Sequence, residues 1–569
     1  MAHSNTWRAR WTIFMHRVQA RRSARGRAVT AFVSAPEPRS IGIVSRGRQL
    51  IAGNFLFSGL LVEGPNLSIW DIAAKNPDVA GEIHGCAWLD DLAAIGDERA
   101  RRRAQRWVFE WIDLYGKGTG SGWFPDLTGR RLIRWINHGF FLLRGQEKPQ
   151  SDLFFQSLAR QMQFLSRRAQ VTPPGLSRFE ALAGTIYAGL SLEGMAHHVA
   201  RAAAALAKDC DTEIDPSGAI ATRNPEELLE ILTLLNWTVE ALHDANHDVP
   251  RAIERAIDRI VPVLRALRHA DGALARFHGG GAGLEGRAEQ AFAASGVKTL
   301  PEPGLHMGFA RLTGGRSSIL VDAAAPPRGD LSVRAHASTL GMELTSARRP
   351  VIVGCGSGAR FGDEWRRASR ATPSHSTLSL DGVSSSELGT QSDQLTKIPT
   401  LVRANADDPR RLELSHNGYQ PSHGLTHARI LSLSIDGRML TGEDLLTALD
   451  SQDESRFDSI NVDGVAFSVR FHLHPDVEAT LDMGGTAVSL RLKSGETWVF
   501  RHDGVGTLTL APSVYLQNGR LKPRATQQVV LSGRAMSYAT RVRWSLAKAQ
   551  DTPTAVRDLE QADPMDVTE

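Results

Sequence analysis

The chain has 569 residues, too many for one ordinary hydrophobic core, so two large domains are expected. Hydrophobic residues make up 42% and charged residues 22%, the range of a soluble globular protein, and a formal charge of +4 from 66 basic and 62 acidic side chains excludes a globally basic nucleic-acid binder. No stretch approaches the ~18 consecutive apolar residues that span a membrane. The three cysteines, Cys86, Cys210 and Cys355, are far apart and form no CxxC pair, which argues against a disulfide framework and a zinc knuckle.

Residues 1–38 read as a basic arm. Arg8, Arg10, Arg17, Arg21, Arg22, Arg25 and Arg27 occur before any acidic residue, and the apolar run Trp11–Met15 is too short for a secretory leader. Trp7, Trp11, Ile13, Phe14 and Val18 can share one helix face, which leaves open a solvated helix or peripheral contact with an anionic membrane surface. Residues 39–290 show helical periodicity. Leu89, Leu92 and Ala93 fall on one face, Ala104, Trp107, Val108, Trp111 and Ile112 continue the period, and Asn224-Pro225 followed by Glu226 and Glu227 reads as a helix start. Paired helices of this kind, without a short sequence repeat, suggest an (α/α) toroid.

From about residue 290 the period changes to two, with the switch expected in a Gly279–Pro303 linker. Phe309–Leu312 and Ser317–Asp322 flank Gly314-Gly315, a hairpin signal, and short strands recur as far as Leu546. Residues 291–548 are therefore expected to form an antiparallel β-sandwich. Residues 549–569 form an acidic tail expected to be disordered.

Several segments, taken in order, resemble the heparinase II/III-like family of toroid-plus-sandwich polysaccharide lyases. Arg334-Ala-His-Ala-Ser-Thr-Leu-Gly-Met-Glu-Leu is similar to the family's His-x-His-Ala-Asp-x-Leu-Ser-Phe strand. Trp365-Arg-Arg-Ala-Ser-Arg-Ala-Thr-Pro-Ser-His-Ser-Thr-Leu-Ser-Leu-Asp-Gly382 is similar to its Arg-x-Thr-x-x-His-Asn-Thr-x-x-x-Asp-Gly segment. Ser415–Tyr419 and Val469–Pro475 resemble family strands. His84-Gly-Cys-Ala-Trp-Leu-Asp-Asp-Leu and Gly129-Arg-Arg-Leu-Ile-Arg-Trp-Ile-Asn-His resemble the branch of the family found in alphaproteobacteria.

The resemblance implies β-elimination at a uronic acid. Such a site neutralises the carboxylate, removes the C5 proton and protonates the departing oxygen. In the family a Tyr and a His share the proton transfers, an Asn neutralises the carboxylate, and two His with an Asp hold zinc. Here Arg334 stands at the catalytic His position, His336 and His375 match the zinc histidines, Gly354 replaces the zinc Asp, and Glu227 stands where the Tyr belongs.

The expected catalytic residues are accordingly His336, His375, Tyr419 and Glu227. Arg334, Arg223, Asn224, Trp135 and His138 are the expected substrate contacts. Arginine suits a two-point grip on a carboxylate, a helix start at Arg223-Asn224 favours an anion, and Trp135 with His138 offers flat faces to a sugar. No metal and no cofactor are expected. The expected partner is an acidic polysaccharide or oligosaccharide rather than a nucleic acid, with peripheral anionic-membrane contact through the arm. The sequence pattern suggests a cytoplasmic chain without leader or membrane span, and the resemblance suggests the cell envelope. Three functions stand open: a lyase, a catalytically degenerate glycan-binding or exopolysaccharide accessory protein, and an enzyme using Glu227 as base for other chemistry, such as hydrolysis.

Overall fold

The computed structural model describes residues 7–23, 29–34, 37–380, 382–390, 392–404, 408–460, 463–517, 520 and 522–549. The expected tail, beyond its first residue, and Arg25 and Arg27 of the arm lie outside the described residues. Two compact units emerge. One gathers 1–216, 229–260 and 291–297, and the other gathers 217–228, 261–290 and 298–569.

The first unit is built of helices, among them Glu98–Tyr115, Pro125–Asn137, Lys148–Arg168, Leu176–Ser191 and Val199–Glu213. Its core is aromatic: Trp70, Trp107, Trp111 and Trp135 are buried and meet mostly edge-on, as at Trp111 and Trp135, whose ring centres lie 5.3 Å apart. Pro125–Asn137 crosses Leu176–Ser191 where Gly129 faces Gly184, and a Cβ on either would run into the opposite backbone. Arg131 is fully buried among these aromatics. It donates to the carbonyls of His84 and Gly122 and to Gln161 Oε1, and its guanidinium lies 4.0 Å from the Trp111 ring.

The second unit is an antiparallel sandwich. Among the described residues, one sheet runs Leu401–Ala404, Arg411–Tyr419, Leu425–Leu433, Met439–Thr447, Ala539–Lys548, Thr497–His502, Ala487–Leu492 and Val477–Asp482 in spatial order. The other runs Thr507–Tyr515, Arg524–Ala535, Val465–Leu473, Arg349–Val353, Met342–Ser346, Ser317–Asp322, Phe309–Gly314 and Leu305–His306, and Leu378–Leu380 also pairs with Val465–Leu473. The Gly314-Gly315 hairpin forms with Phe309 opposite Asp322 and Gly314 opposite Ser317. Alternate residues of both sheets make the core, where Phe471, Phe500 and Trp544 pack with centroids 4.7–6.0 Å apart.

The segment expected to be a linker is structured. It carries the helix Arg287–Ser295, and Phe277 and His278 immediately before its glycine run are buried. Gly279 has φ +85° and lies so close to the backbone of Arg334 that a Cβ would stand 2.9 Å from its carbonyl oxygen. A glycine run here permits close packing rather than freedom.

Candidate functional site

The sandwich unit brings His336, His375 and Gly354 together. His336 and His375 are each 1% exposed, with ring centres 5.1 Å apart. A Cβ on Gly354 would lie 3.4 Å from His375 Nδ1. Neither ring nitrogen of either histidine has a hydrogen-bond partner among the described residues. Burial holds both in the neutral form. The His336 pKa falls well below its usual value through burial and the neighbouring His375, and that of His375 is pushed down to about 3 through burial and His472.

The loops around the pair are fixed by backbone-directed side chains. Arg370 donates to the carbonyls of Ala335, Ser332 and Asp393, and Thr372 Oγ1 donates to Ala337 O. Ser376 Oγ donates to Val353 O, and Arg429, fully buried, donates to the carbonyls of Leu340 and Ser376. Arg429 is itself held by Asp444, which also accepts from Trp544 Nε1 and meets His427 Nε2.

A second buried set lies beside the pair. Asp322 Oδ1 accepts from Arg223 and Asp322 Oδ2 from Ser338, both at 2.6 Å, and His278 Nε2 lies 3.4 Å from Oδ2. His278 Nδ1 accepts the backbone N–H of His336. The surrounding cations overcome burial and hold the Asp322 carboxyl well below its usual range. His472 fills a third position: its Nε2 lies 2.9 Å from Pro373 O, and its Nδ1 meets Ser513 Oγ at 2.7 Å and Cys355 Sγ at 3.5 Å. His278 and Asp322 were not singled out from the sequence as site residues. The Phe277-His278-Gly279-Gly280-Gly281 run was the available signal for His278, because glycines mark close backbone approach.

Other expected site residues take structural positions. Tyr419, expected to be catalytic, is fully buried, donates to Leu378 O at 2.9 Å, and has its pKa pushed up by burial. Arg223, expected to bind substrate, has φ +53° and spends its guanidinium on Asp322 and on the carbonyls of Met307, Gly308, Ala324 and Ala325. Asn224, expected to do the same, caps the helix Pro225–Asp244 by accepting from the N–H groups of Glu226 and Glu227. Trp135, expected as a sugar platform in the helical unit, is fully buried and stacks on Phe154 at 5.8 Å. His138 is also buried, its Nε2 2.9 Å from Asp90 Oδ1, an oxygen that Ser40 shares while Arg134 binds Oδ2. Glu227 is half-buried in the first helical turn. Arg334 alone of the expected set is exposed, and no ion pair is formed by it among the described residues.

The zinc implied by the resemblance needs three or four donors. The orphaned nitrogens of His336 and His375 are suited to a metal, but Gly354 supplies no third donor, and no group of three His, Cys, Asp or Glu side chains able to hold a metal occurs among the described residues. The residues present do not fit a zinc centre.

Residues 297–545 match the family description "Heparinase II/III-like, C-terminal". FtsZ-localized protein C of Caulobacter vibrioides (strain NA1000 / CB15N) is 31% identical over 536 residues, spanning 90% of this chain and 89% of that protein. The chain belongs to the heparinase II/III-like family. Among solved structures it is similar to heparinase III, with a TM-score of 0.66 at 12% identity over 95% of this chain and 90% of that one. It is also similar to a mutant of the heparan sulfate lyase HepC from Pedobacter heparinus, with a TM-score of 0.56 at 14% identity over 95% and 89%. These likenesses establish the fold, a helical toroid domain followed by an antiparallel β-sandwich, as the shared architecture of this heparinase-like chain.

Proposed function

We propose that this heparinase-like chain is a non-lytic member of its family that works at FtsZ structures, rather than a lyase cutting a uronate-containing glycan. The observation that carries this reading is the full burial of three of the four expected catalytic residues. His336, His375 and Tyr419 are sealed inside the sandwich, and the one exposed residue of the aligned set is Arg334, where the resemblance places a proton-moving histidine. The link to FtsZ rests on the relative that bears it in its name and aligns over 90% of this chain.

The test has two arms. Incubation with heparan sulfate, hyaluronan and alginate should yield no ultraviolet absorbance from unsaturated uronates, and the purified chain should sediment with polymerised Caulobacter vibrioides FtsZ. Release of unsaturated uronate would restore the lyase reading. A chain that stays in the supernatant with FtsZ polymers would remove the second half of the proposal.

The N-terminal helix Trp7–Ser23 favours a further partner, an anionic membrane surface. Trp7, Trp11 and Phe14 are exposed in one stripe with successive ring centres 6.0 and 5.6 Å apart, and Arg10, Arg17, Arg21 and Arg22 are exposed on the same helix. No helix among the described residues is long and apolar enough to cross a membrane. Flotation with vesicles containing phosphatidylglycerol, but not with phosphatidylcholine alone, is the expected result, lost on Trp7→Ala/Trp11→Ala/Phe14→Ala substitution. Should the chain retain a glycan ligand, Arg334 is the residue to hold its carboxylate.

A further inference from the structure

The rings of His336 and His375 lie side by side, their centres 5.1 Å apart. Each imidazole carries one N–H and one lone pair when neutral, and none of the four ring nitrogens is matched among the described residues. Buried polar atoms left this way are costly and mark places where a third group belongs. Among the described residues no neighbouring His, Cys, Asp or Glu makes a metal-holding group of three with the pair. Asp322 Oδ1 accepts from Arg223 and its Oδ2 from Ser338. His278 Nδ1 accepts the His336 N–H. Both nitrogens of His472 are engaged, at Pro373 O and at Ser513, and Cys355 Sγ turns to His472.

The remaining direction is that of Gly354. Its φ is outside the left-handed region, so an L side chain suits its backbone. The nearest atoms to a Cβ there are His375 Nδ1 at 3.4 Å and Ser374 O at 3.8 Å, ordinary contact distances. A Cβ there fits beside the His375 ring without displacing backbone.

We infer that Gly354 is the single residue that separates this chain from a zinc protein: the native sandwich does not retain zinc, and Gly354→Asp converts the His336–His375 pair into a zinc-binding site. Two imidazoles are too few donors to hold zinc against dialysis, whereas two imidazoles and a carboxylate with one water make the usual tetrahedral set. The loops that carry the histidines are already pinned by Arg370, Thr372 and Arg429, so the added ligand meets a pre-arranged pair.

The experiment is metal analysis of the full chain and of Gly354→Asp after zinc loading and gel filtration, with cobalt(II) titration as a spectroscopic reading. The native chain should emerge without zinc. Gly354→Asp should carry about one zinc per chain and develop the visible bands of tetrahedral cobalt(II), and adding His375→Ala should abolish both. A stoichiometric zinc in the native chain overturns the inference, as does a folded Gly354→Asp protein that takes up no metal. If Gly354→Asp does not fold, Gly354→Cys supplies a thiolate from the same position, and its metal content decides in the same way.

Discussion

Asp322 is a carboxylate with no exposure, flanked by Arg223, Ser338 and His278. Removing its charge leaves the Arg223 guanidinium buried with only carbonyl partners, the situation in which a broken internal ion pair costs most. Asp322→Asn should therefore destabilise the sandwich unit by about 3–5 kcal/mol, read as a lower denaturation midpoint, while Asp363→Asn on an exposed pair with Arg366 should change stability little. Arg334 makes the opposite prediction. Being exposed and without an ion pair among the described residues, it should be replaceable by Lys with no loss of stability. If it grips a uronate carboxylate, the same change should weaken binding of an acidic oligosaccharide several-fold, because an ammonium does not reproduce the planar fork; equal affinities would remove it from any binding site. At this scale the sequence carried positions better than roles. Local strings suffice to align His336, His375 and Gly354, and the three do converge. That Tyr419 points inward to Leu378 O, or that Arg223 serves five oxygens from distant segments, depends on contacts between strands that no local string contains.

Secondary elements were legible where a chemical signal sits at the boundary. Asn224-Pro225 starts its helix with the side-chain cap in place, and Gly314-Gly315 turns its hairpin. The packing of the Gly279–Pro303 stretch was not legible, because glycine in a sequence signals either freedom or crowding, and only the partner backbone, here Arg334, tells which. Gly442 illustrates crowding within a strand. It pairs directly with Trp544, and the indole ring covers the place where a Cβ would stand, with Trp544 Nε1 donating to Asp444 at 2.9 Å. Gly442→Ala must push that ring from its contacts with Phe471 and Phe500, so a loss of about 1–3 kcal/mol is expected. Gly495, in an open turn with φ +84° and nothing near its Cβ position, should show only the backbone penalty of a left-handed residue when changed to Asn, which tolerates that region. Equal melting curves for native chain and Gly442→Ala would mean the indole has room to shift.

Across the whole molecule the buried histidines set how stability responds to acid. In the helical unit His84 has its pKa pushed down to about 3 by burial and by Arg131, and His16 to about 4 by burial and by Arg168. In the sandwich unit burial pushes His474 down to about 3. Each binds a proton near its usual value only after unfolding, so between about pH 6.5 and the folded pKa the unfolded chain holds more protons, and stability falls as pH falls. For His84 and His16 the loss by pH 5 is about 2 kcal/mol each, from one and a half pH units at 1.36 kcal/mol per unit. Asp91 opposes them: burial raises its pKa to about 6, so the folded form gains protons below that value and is relatively favoured. Asp90, which Arg134, His138 and Ser40 hold down to about 2 against its burial, adds its loss only below about pH 4. Glu180, raised by burial to about 7, acts in the same direction as Asp91, but the buried histidines outnumber the two carboxyls, so the denaturation midpoint should decline from pH 7.5 to pH 5. His84→Gln should lower stability at pH 7.5, because Trp111 Nε1 donates to His84 Nδ1 at 3.1 Å, yet it should also flatten the slope between pH 6.5 and 5. An unchanged slope in that variant would show that His84 takes up its proton in the folded chain, and that the Trp111–His84–Ser121 arrangement opens to water rather than excluding it.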